Sequence, residues 1–291
     1  MNLKTIPSEV WQRLRNVALK AKRNGRSVRR VVDNTFYQHI YSQWGKGKVN
    51  YTHNIDTKMD PGWETLVREW NIIQDTGRSM GKVIKDHSIG YAGVQKDSGW
   101  SDEALRMARL WEHYNDNIMQ DRFQFVVNMG GGMVLFNRMR RACQTYIIEQ
   151  LQRDPRKFVV SGWKVFGESA AIGRCDSCVV YLTCKYDDPK LKNFINTYLV
   201  KHIKDLWDTN FIPLGMYQIG SYPLWAMRMP RPGKEWQVLG EKSGGSAGGL
   251  MSAIIGEAFE RAIHAADQSG RELYLFEIKK EAQKIVNQLY L

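Results

Sequence analysis

The stretch Ser243-Gly-Gly-Ser-Ala-Gly-Gly249 runs straight into an apolar helical pattern that starts at Leu250. Glycines let a backbone come close to a ligand. The first turn of a helix offers N–H groups without intrahelical partners and a partial positive charge. Lys242, Ser243, Gly244, Gly245 and Ser246 therefore have the makings of a cradle for a phosphate or carboxylate. The GK[ST] order of a P-loop is absent, since the chain reads Gly240-Glu241-Lys242-Ser243, and no strand with a GxGxxG turn frames it. A loop that needs glycine only for backbone geometry is the plain alternative. A second group is Lys164 and Arg174, which flank a turn between two strand-like segments. An arginine entering an apolar strand requires a planar partner, either a carboxylate or phosphate oxygens. An ion pair with Asp176 or a distant acid would satisfy it as well. Arg228 and Arg231, on either side of Met229 and Pro230, add cations close in sequence to the glycine-rich stretch.

Other chemistries lose support. Cys175-Asp-Ser-Cys178 has CxxC spacing and Cys184 lies six residues on, but no second ligand pair accompanies them. Cys178-Val-Val-Tyr-Leu reads instead as a buried strand, where a small thiol packs well. The six histidines (39, 53, 87, 113, 202 and 264) never pair at metal spacing, and no HExxH, deaminase, GxSxG or kinase motif occurs. The reading therefore needs neither metal nor cofactor. Tryptophans and tyrosines are scattered, without the aromatic platform of RNA-binding sheets.

The elements that must position these residues follow from periodicity. Ser8 reads as the N-cap of a first helix with Val10, Leu14, Val17, Ala18 and Ala21 on one face, stopped by Asn24-Gly25. A second helix spans about 28–41. Residues 63–73 and 101–114 carry further helical patterns, 122–127 alternates as a strand, and 138–152 is helical. Residues 157–184 read as a strand pair around a turn at 167–173. A helix follows over 189–207, then short strands and loops over 211–230, a polar connection over 231–242, and helices over 250–266 and 271–289. The class is α+β: a mixed or antiparallel sheet packed with helices. The organisation expected is a basic helical extension over 1–50 and a single α+β domain over 51–291.

The chain has 291 residues, 43% of them hydrophobic and 25% charged, which excludes a mainly disordered chain and allows a large core. Net charge is +12. Residues 1–50 hold eleven Lys/Arg against Glu9 and Asp33, a surplus of +9, and the remainder holds only +3. This block attracts polyanions, so residues 8–44 are a candidate nucleic-acid surface, or simply a solvated helix face. No apolar run approaches the roughly 18 residues that span a bilayer. The N-terminus has no apolar stretch of a secretory signal, so the expected location is the cytoplasm, with any export into a host cell following a route without a cleaved signal.

Residues 157–266 resemble the HopA-type effectors of plant-pathogenic bacteria and their relatives among lanthipeptide-forming phosphoserine/phosphothreonine lyases. The resemblance rests on an order of motifs. A Lys-bearing strand (Lys164) precedes an R-x-D-x-x-V-x-Y strand (Arg174, Asp176, Val179, Tyr181). The long helix 189–207 follows, then Pro213, Gly220, Ala226 and Pro230, and then Ser243-Gly-Gly-Ser246 before Leu250. Phe36-Tyr37 and Tyr41 echo an aromatic helix near the family's start. Where the family's loop has S-F-G, this chain has Ser-Gly-Gly.

The resemblance implies β-elimination of phosphate from a phosphoserine or phosphothreonine in a peptide or protein, a carbon–oxygen lyase reaction. Lys164 is the implied base, with His202 as a candidate acid. Arg174, Arg228, Lys242, Ser243, Gly244, Gly245 and Ser246 are the candidate phosphate contacts. The competing readings are a non-enzymatic effector or interaction protein on the same scaffold, which a secretion chaperone would suit, and a nucleic-acid binder acting through the basic helices.

Overall fold

The computed structural model describes residues 1–41, 88–89, 121–125, 127, 135, 138–139, 141–143, 145–146, 149, 153, 159–166, 176–209, 212–231, 233–240 and 246–291. The helical patterns expected over 63–73 and 101–114 lie outside them. The class is α+β. Two compact units are present, and the chain passes between them more than once. One comprises Met1–Lys46, Ile212–Tyr217 and Met229–Leu291, and the other Gly47–Phe211 and Gln218–Arg228.

The first unit is helical. α1 (Ser8–Arg23) and α2 (Val28–Tyr41) form where the 3.6-residue stripe demands. Ser8 is the first helical residue of α1 and Pro7 occupies the cap position, so the cap expected at Ser8 moves back by one. In this unit also lie α5 (Lys234–Leu239), α6 (Ala247–Gln268) and α7 (Leu275–Tyr290). α5 falls within the segment read as a polar connection. It is one and a half turns bounded by Gly233 and Gly240, both at positive φ, and buries only Leu239, too little apolar periodicity to be seen in sequence.

α6 is buried on most of its circumference, from Ala247 through Ile254 and Phe259 to Ala266. α2 and α7 pack along it, and α1 packs on α2. The basic segment 1–41 is therefore an integral wall of this unit, not an appendage to it. The crossing of α2 and α6 is close. A Cβ added at Gly256 would stand 2.8 Å from the Arg29 carbonyl oxygen. Glycine inside a helix costs about 1 kcal/mol relative to alanine, and here that loss is what lets two backbones approach. The Glu257 carboxylate, next along, accepts from the Arg261 Nε at 2.7 Å and pairs with Arg29 at 2.7 Å. The same two arginines donate to the last carbonyls of α5, Arg29 to Leu239 at 2.6 Å and Arg261 to Val238 at 2.9 Å. One half-buried ion cluster thus ties α2, α5 and α6 together.

The second unit is built on an antiparallel sheet. Its strands are β1 (Ser88–Ile89), β2 (Arg122–Phe125), β3 (Val160–Phe166), β4 (Cys178–Leu182) and β6 (Trp225–Met227), and with the two-residue β5 (Tyr217–Gln218) the strand order is β1-β3-β4-β2-β6-β5. β3 and β4 are the expected strand pair, with a register irregularity between Val160 and Gly162. α3 (Pro189–Phe194) starts at Asp188, whose side chain accepts from the Lys190 N–H at 2.8 Å, and carries proline at its first turn. It continues through a π-helical turn (Ile195–Leu199) into α4 (Val200–Ile203).

Alternation divides the sheet into two faces. On one, Phe123, Phe125, Trp163, Cys178, Val180 and Ala226 merge with Leu191, Phe194, Ile195, Leu199 and Ile203 of the α3–α4 helix in one apolar core. Tyr146, Met139 and Leu135, from the helical residues between 135 and 153, complete it.

Candidate anion site on the sheet

The other face of the sheet mixes polar side chains with buried apolar ones. Cross-strand registers set its rows: Lys164 opposes Val179, Val179 opposes Gln124, and Gln124 opposes Trp225. In the adjacent row Gly162 opposes Tyr181, Tyr181 opposes Arg122, and Arg122 opposes Met227. Directly opposed residues of antiparallel strands share a face. Arg122, Gln124 and Tyr181 therefore stand together, bounded by the buried Val179, Trp225 and Met227. Gln124 is itself buried, and Arg122 and Tyr181 are half-buried.

The electrostatics of this face suit an anion. The Arg122 guanidinium lies 5.2 Å from the centre of the Tyr181 ring, within the range of a cation–π contact. Burial raises the Tyr181 phenol above the usual tyrosine range. The Arg122 charge opposes that shift, and Asp176 and Cys178 add to it. The phenol therefore stays protonated and can donate a hydrogen bond. A guanidinium, a phenolic O–H and a carboxamide are donor groups of the kind that oxyanion sites use. Asp176, buried beside the start of β4, supplies the opposing charge that limits the local positive field.

Sequence candidates fall in different places. Lys164 sits on β3 at the register position given above, and Asp176, Val179 and Tyr181 enter and line β4, the strand paired to it. Arg174, Lys242, Ser243, Gly244 and Gly245 lie outside the described residues. Ser246, in the helical unit, is the N-cap of α6, with its Oγ accepting from the Gly249 N–H at 2.9 Å. That hydroxyl has the structural duty expected of a cap.

Arg228 is already engaged. It lies 3.8 Å from the Asp121 carboxylate and 3.6 Å from that of Asp187, with its guanidinium 5.7 Å from the Tyr186 ring centre. Two carboxylates answer its charge, so the geometry is that of an ion pair. His202 belongs to α4, on the helix that covers the apolar face, and is thus not among the groups gathered on the polar one. Burial, then the charges of Lys201, Arg141 and Arg138, lower its pKa, so at neutral pH the ring is uncharged and a poor proton donor.

From the sequence, Tyr181 is marked only as a motif residue, and Arg122 and Gln124 are not singled out. The available signal was Arg-Phe-Gln-Phe itself, since two polar residues alternate with two phenylalanines on a strand flanked on both sides. Thiol chemistry is disfavoured by environment. Cys178 is fully buried on β4, and burial pushes the Cys184 thiol up to about 12. Among the described residues no cluster of three metal-ligating side chains occurs, and no helix is long and apolar enough to cross a membrane.

In overall course the chain is similar to the solved structure of the effector protein from Pseudomonas syringae pv. syringae strain 61. That likeness covers 98% of this chain and 95% of the other, at a TM-score of 0.44 and 11% sequence identity. It assigns no activity at that level. No protein-family profile matches the chain, and no curated protein sequence matches it.

Proposed function

We propose that the protein holds the phosphoryl group of a phosphorylated serine or threonine on the polar face of its sheet, and that the bound residue undergoes β-elimination. The observation that carries this reading is the register of β3, β4 and β2. It aligns Lys164 with Gln124 and sets the Tyr181–Arg122 pair in the neighbouring row. Of the motif residues, Lys164 on β3 and Val179 and Tyr181 on β4 thus lie on paired strands, with Arg122 opposite Tyr181.

In the reaction, the Lys164 amine takes the Cα proton. The electrons of the Cα–H bond form the Cα=Cβ double bond as the Cβ–O bond breaks, and phosphate departs with its electron pair. Arg122 offsets the charge on the leaving group, and the Tyr181 phenol donates a hydrogen bond to it. Arg174 is proposed as a further phosphate contact on the strength of the family resemblance. An amine base works at neutral pH when burial or neighbouring cations lower its pKa.

Mass spectrometry of phosphopeptides incubated with the full-length protein tests this. Elimination yields a dehydrated residue, one water lighter than the hydrolysed product. The Lys164→Ala variant should bind phosphopeptide and yield no dehydrated product. Hydrolysed or unchanged peptide with the native chain would reject the reaction.

A second reading, a non-enzymatic interaction protein of the effector kind, is favoured by one observation. The helical unit exposes Trp236 (61%), Phe276 (65%) and Tyr274 (50%), the last two stacked at 6.0 Å. Exposed aromatics of this size are the usual anchors of protein interfaces. Phosphopeptide bound without turnover, together with a partner whose capture is lost in the variant Trp236→Ala with Phe276→Ala, would favour that reading over the lyase.

A further inference from the structure

Residues 10–32 contain eight cations and no carboxylate. Apart from Arg13, whose charge acts on His39, the fold uses them in two ways. Arg15 and Arg29 are half-buried structural groups: Arg15 donates to the Leu273 carbonyl at 3.0 Å, and Arg29 joins the Glu257 cluster. Lys20, Lys22, Arg23, Arg26 and Arg30 are exposed and surround the Asn24-Gly25 turn between α1 and α2. Lys22 shares its charge with Asp267 in a pair whose two side chains are nearly half exposed. Arg23 donates only to Leu19 of its own helix, at 3.4 Å. Among the described residues, Lys20, Arg26 and Arg30 have no carboxylate partner. Nothing lies within 4 Å of a Cβ placed at Gly25, whose φ of +63° makes the turn, so the corner faces open space.

We propose that this corner is a docking surface for the phosphate backbone of a nucleic-acid duplex, bound without sequence readout. Three observations fix the class of partner. First, five cations within eleven residues, on two helices joined by a tight turn, present a rigid array to a polyanion whose charges are also fixed. Second, the corner includes the N-terminus of α2, whose amide dipoles add positive potential there. Third, its uncharged exposed neighbours are Gln12, Asn16, Asn24, Ser27 and Asn34, and none of the exposed large apolar side chains falls between residues 10 and 34. A helix that inserts into a lipid interface needs such an apolar face. No residue pattern for reading base edges is present, so the contact is electrostatic. The inference does not depend on the phosphopeptide reading, because it uses none of the sheet residues.

The test uses the full chain with a labelled DNA duplex of about 20 base pairs, an RNA duplex of the same sequence, and vesicles carrying phosphatidylserine, titrated by fluorescence anisotropy or co-sedimentation. Binding to either duplex should weaken by about two orders of magnitude between about 50 and 200 mM salt, as expected for neutralising about four phosphates. The combined variant Lys20→Gln, Arg23→Gln, Arg26→Gln, Arg30→Gln should lose most of the affinity and flatten that slope. The combined variant Lys192→Gln, Lys201→Gln, Lys204→Gln removes equally exposed charges from the other unit and should bind within about twofold of the native chain. If the quadruple variant fails to fold by circular dichroism, the single changes Arg26→Gln and Arg30→Gln take its place, each lowering the slope by about one. The two duplex arms decide between DNA and RNA. Binding to neither, binding indifferent to salt, equal losses in both combined variants, or binding to vesicles alone would overturn the proposal.

Discussion

The two units bury charge in opposite manners. In the helical unit the Glu257 carboxylate is closed off by Arg29 and Arg261, and both arginines also satisfy the end of α5. Each partner has a stitching duty there, and Lys20, Lys22, Arg23, Arg26 and Arg30 are exposed. In the sheet unit, Arg122, Gln124 and Tyr181 stand in neighbouring cross-strand rows on one face. The helical network reads as architecture, because every charge is matched in place by a backbone carbonyl or an opposite charge. The sheet array is the candidate site because a guanidinium, a carboxamide and a phenol kept protonated by burial share one face in two adjoining rows. Arg228 shows the boundary between the two within one unit: Asp121 and Asp187 make it architectural.

Four experiments would break or sharpen that contrast. Glu257→Ala leaves two half-buried arginines without their carboxylate and should destabilise the helical unit by about 3 kcal/mol in denaturant unfolding, the scale for breaking such a cluster. A loss below the scatter of surface substitutions would show that the cluster is dispensable. Arg122→Met should act the other way round, weakening phosphopeptide binding about 30-fold by calorimetry, the factor for losing about 2 kcal/mol of charge-assisted hydrogen bonding. If it instead unfolds the chain while its folded fraction binds normally, Arg122 is architecture too.

Gly256→Ala gains helix propensity but forces a methyl against the Arg29 carbonyl, and should lower stability by about 1–2 kcal/mol through overpacking at the α2–α6 crossing. A stabilised variant would mean that the helices separate without loss. The smallest effect is expected from His39. Burial, then the Arg13 charge, lowers its pKa in the folded state. The neutral ring is the one folding favours, so its contribution is full above the unfolded value of about 6.5. It is lost as pH falls from there through the lower folded value. Unfolding curves at neutral and mildly acidic pH should show this loss, and His39→Gln should reduce it.

Local patterns carried much of the fold. The apolar stripes of α1, α2, α6 and α7 were legible because each helix is long and buries a definite face. The strand pair of β3 and β4 was legible because turn-forming residues between Gly167 and Gly173 separate two apolar runs in the sequence. The helix at 189–203 announced itself through Asp188-Pro189 and its stripe. α5 stayed hidden because six residues with one buried side chain leave no period to detect. The candidate site was legible only in part. Lys164, Asp176, Val179 and Tyr181 were marked by motif order, but Arg122 and Gln124 came from a strand some forty residues earlier. His202 was plausible by type but lies on the helix that covers the other face, and Arg228 was plausible by type but is engaged by Asp121 and Asp187.

The amino-acid order alone determined most of the helices and strands, where charge concentrates along the chain, and that Cys178 sits on an apolar strand. Those properties depend on neighbours within a few residues, where backbone geometry and side-chain period act directly. Tertiary structure decided that β2 lies between β4 and β6, and so brings Arg122 to Tyr181. It also decided that Arg29 points inward while Arg26 and Arg30 face water. Strand order and helix rotation depend on contacts between residues far apart in the chain. The free energy of such contacts appears only when both surfaces are present.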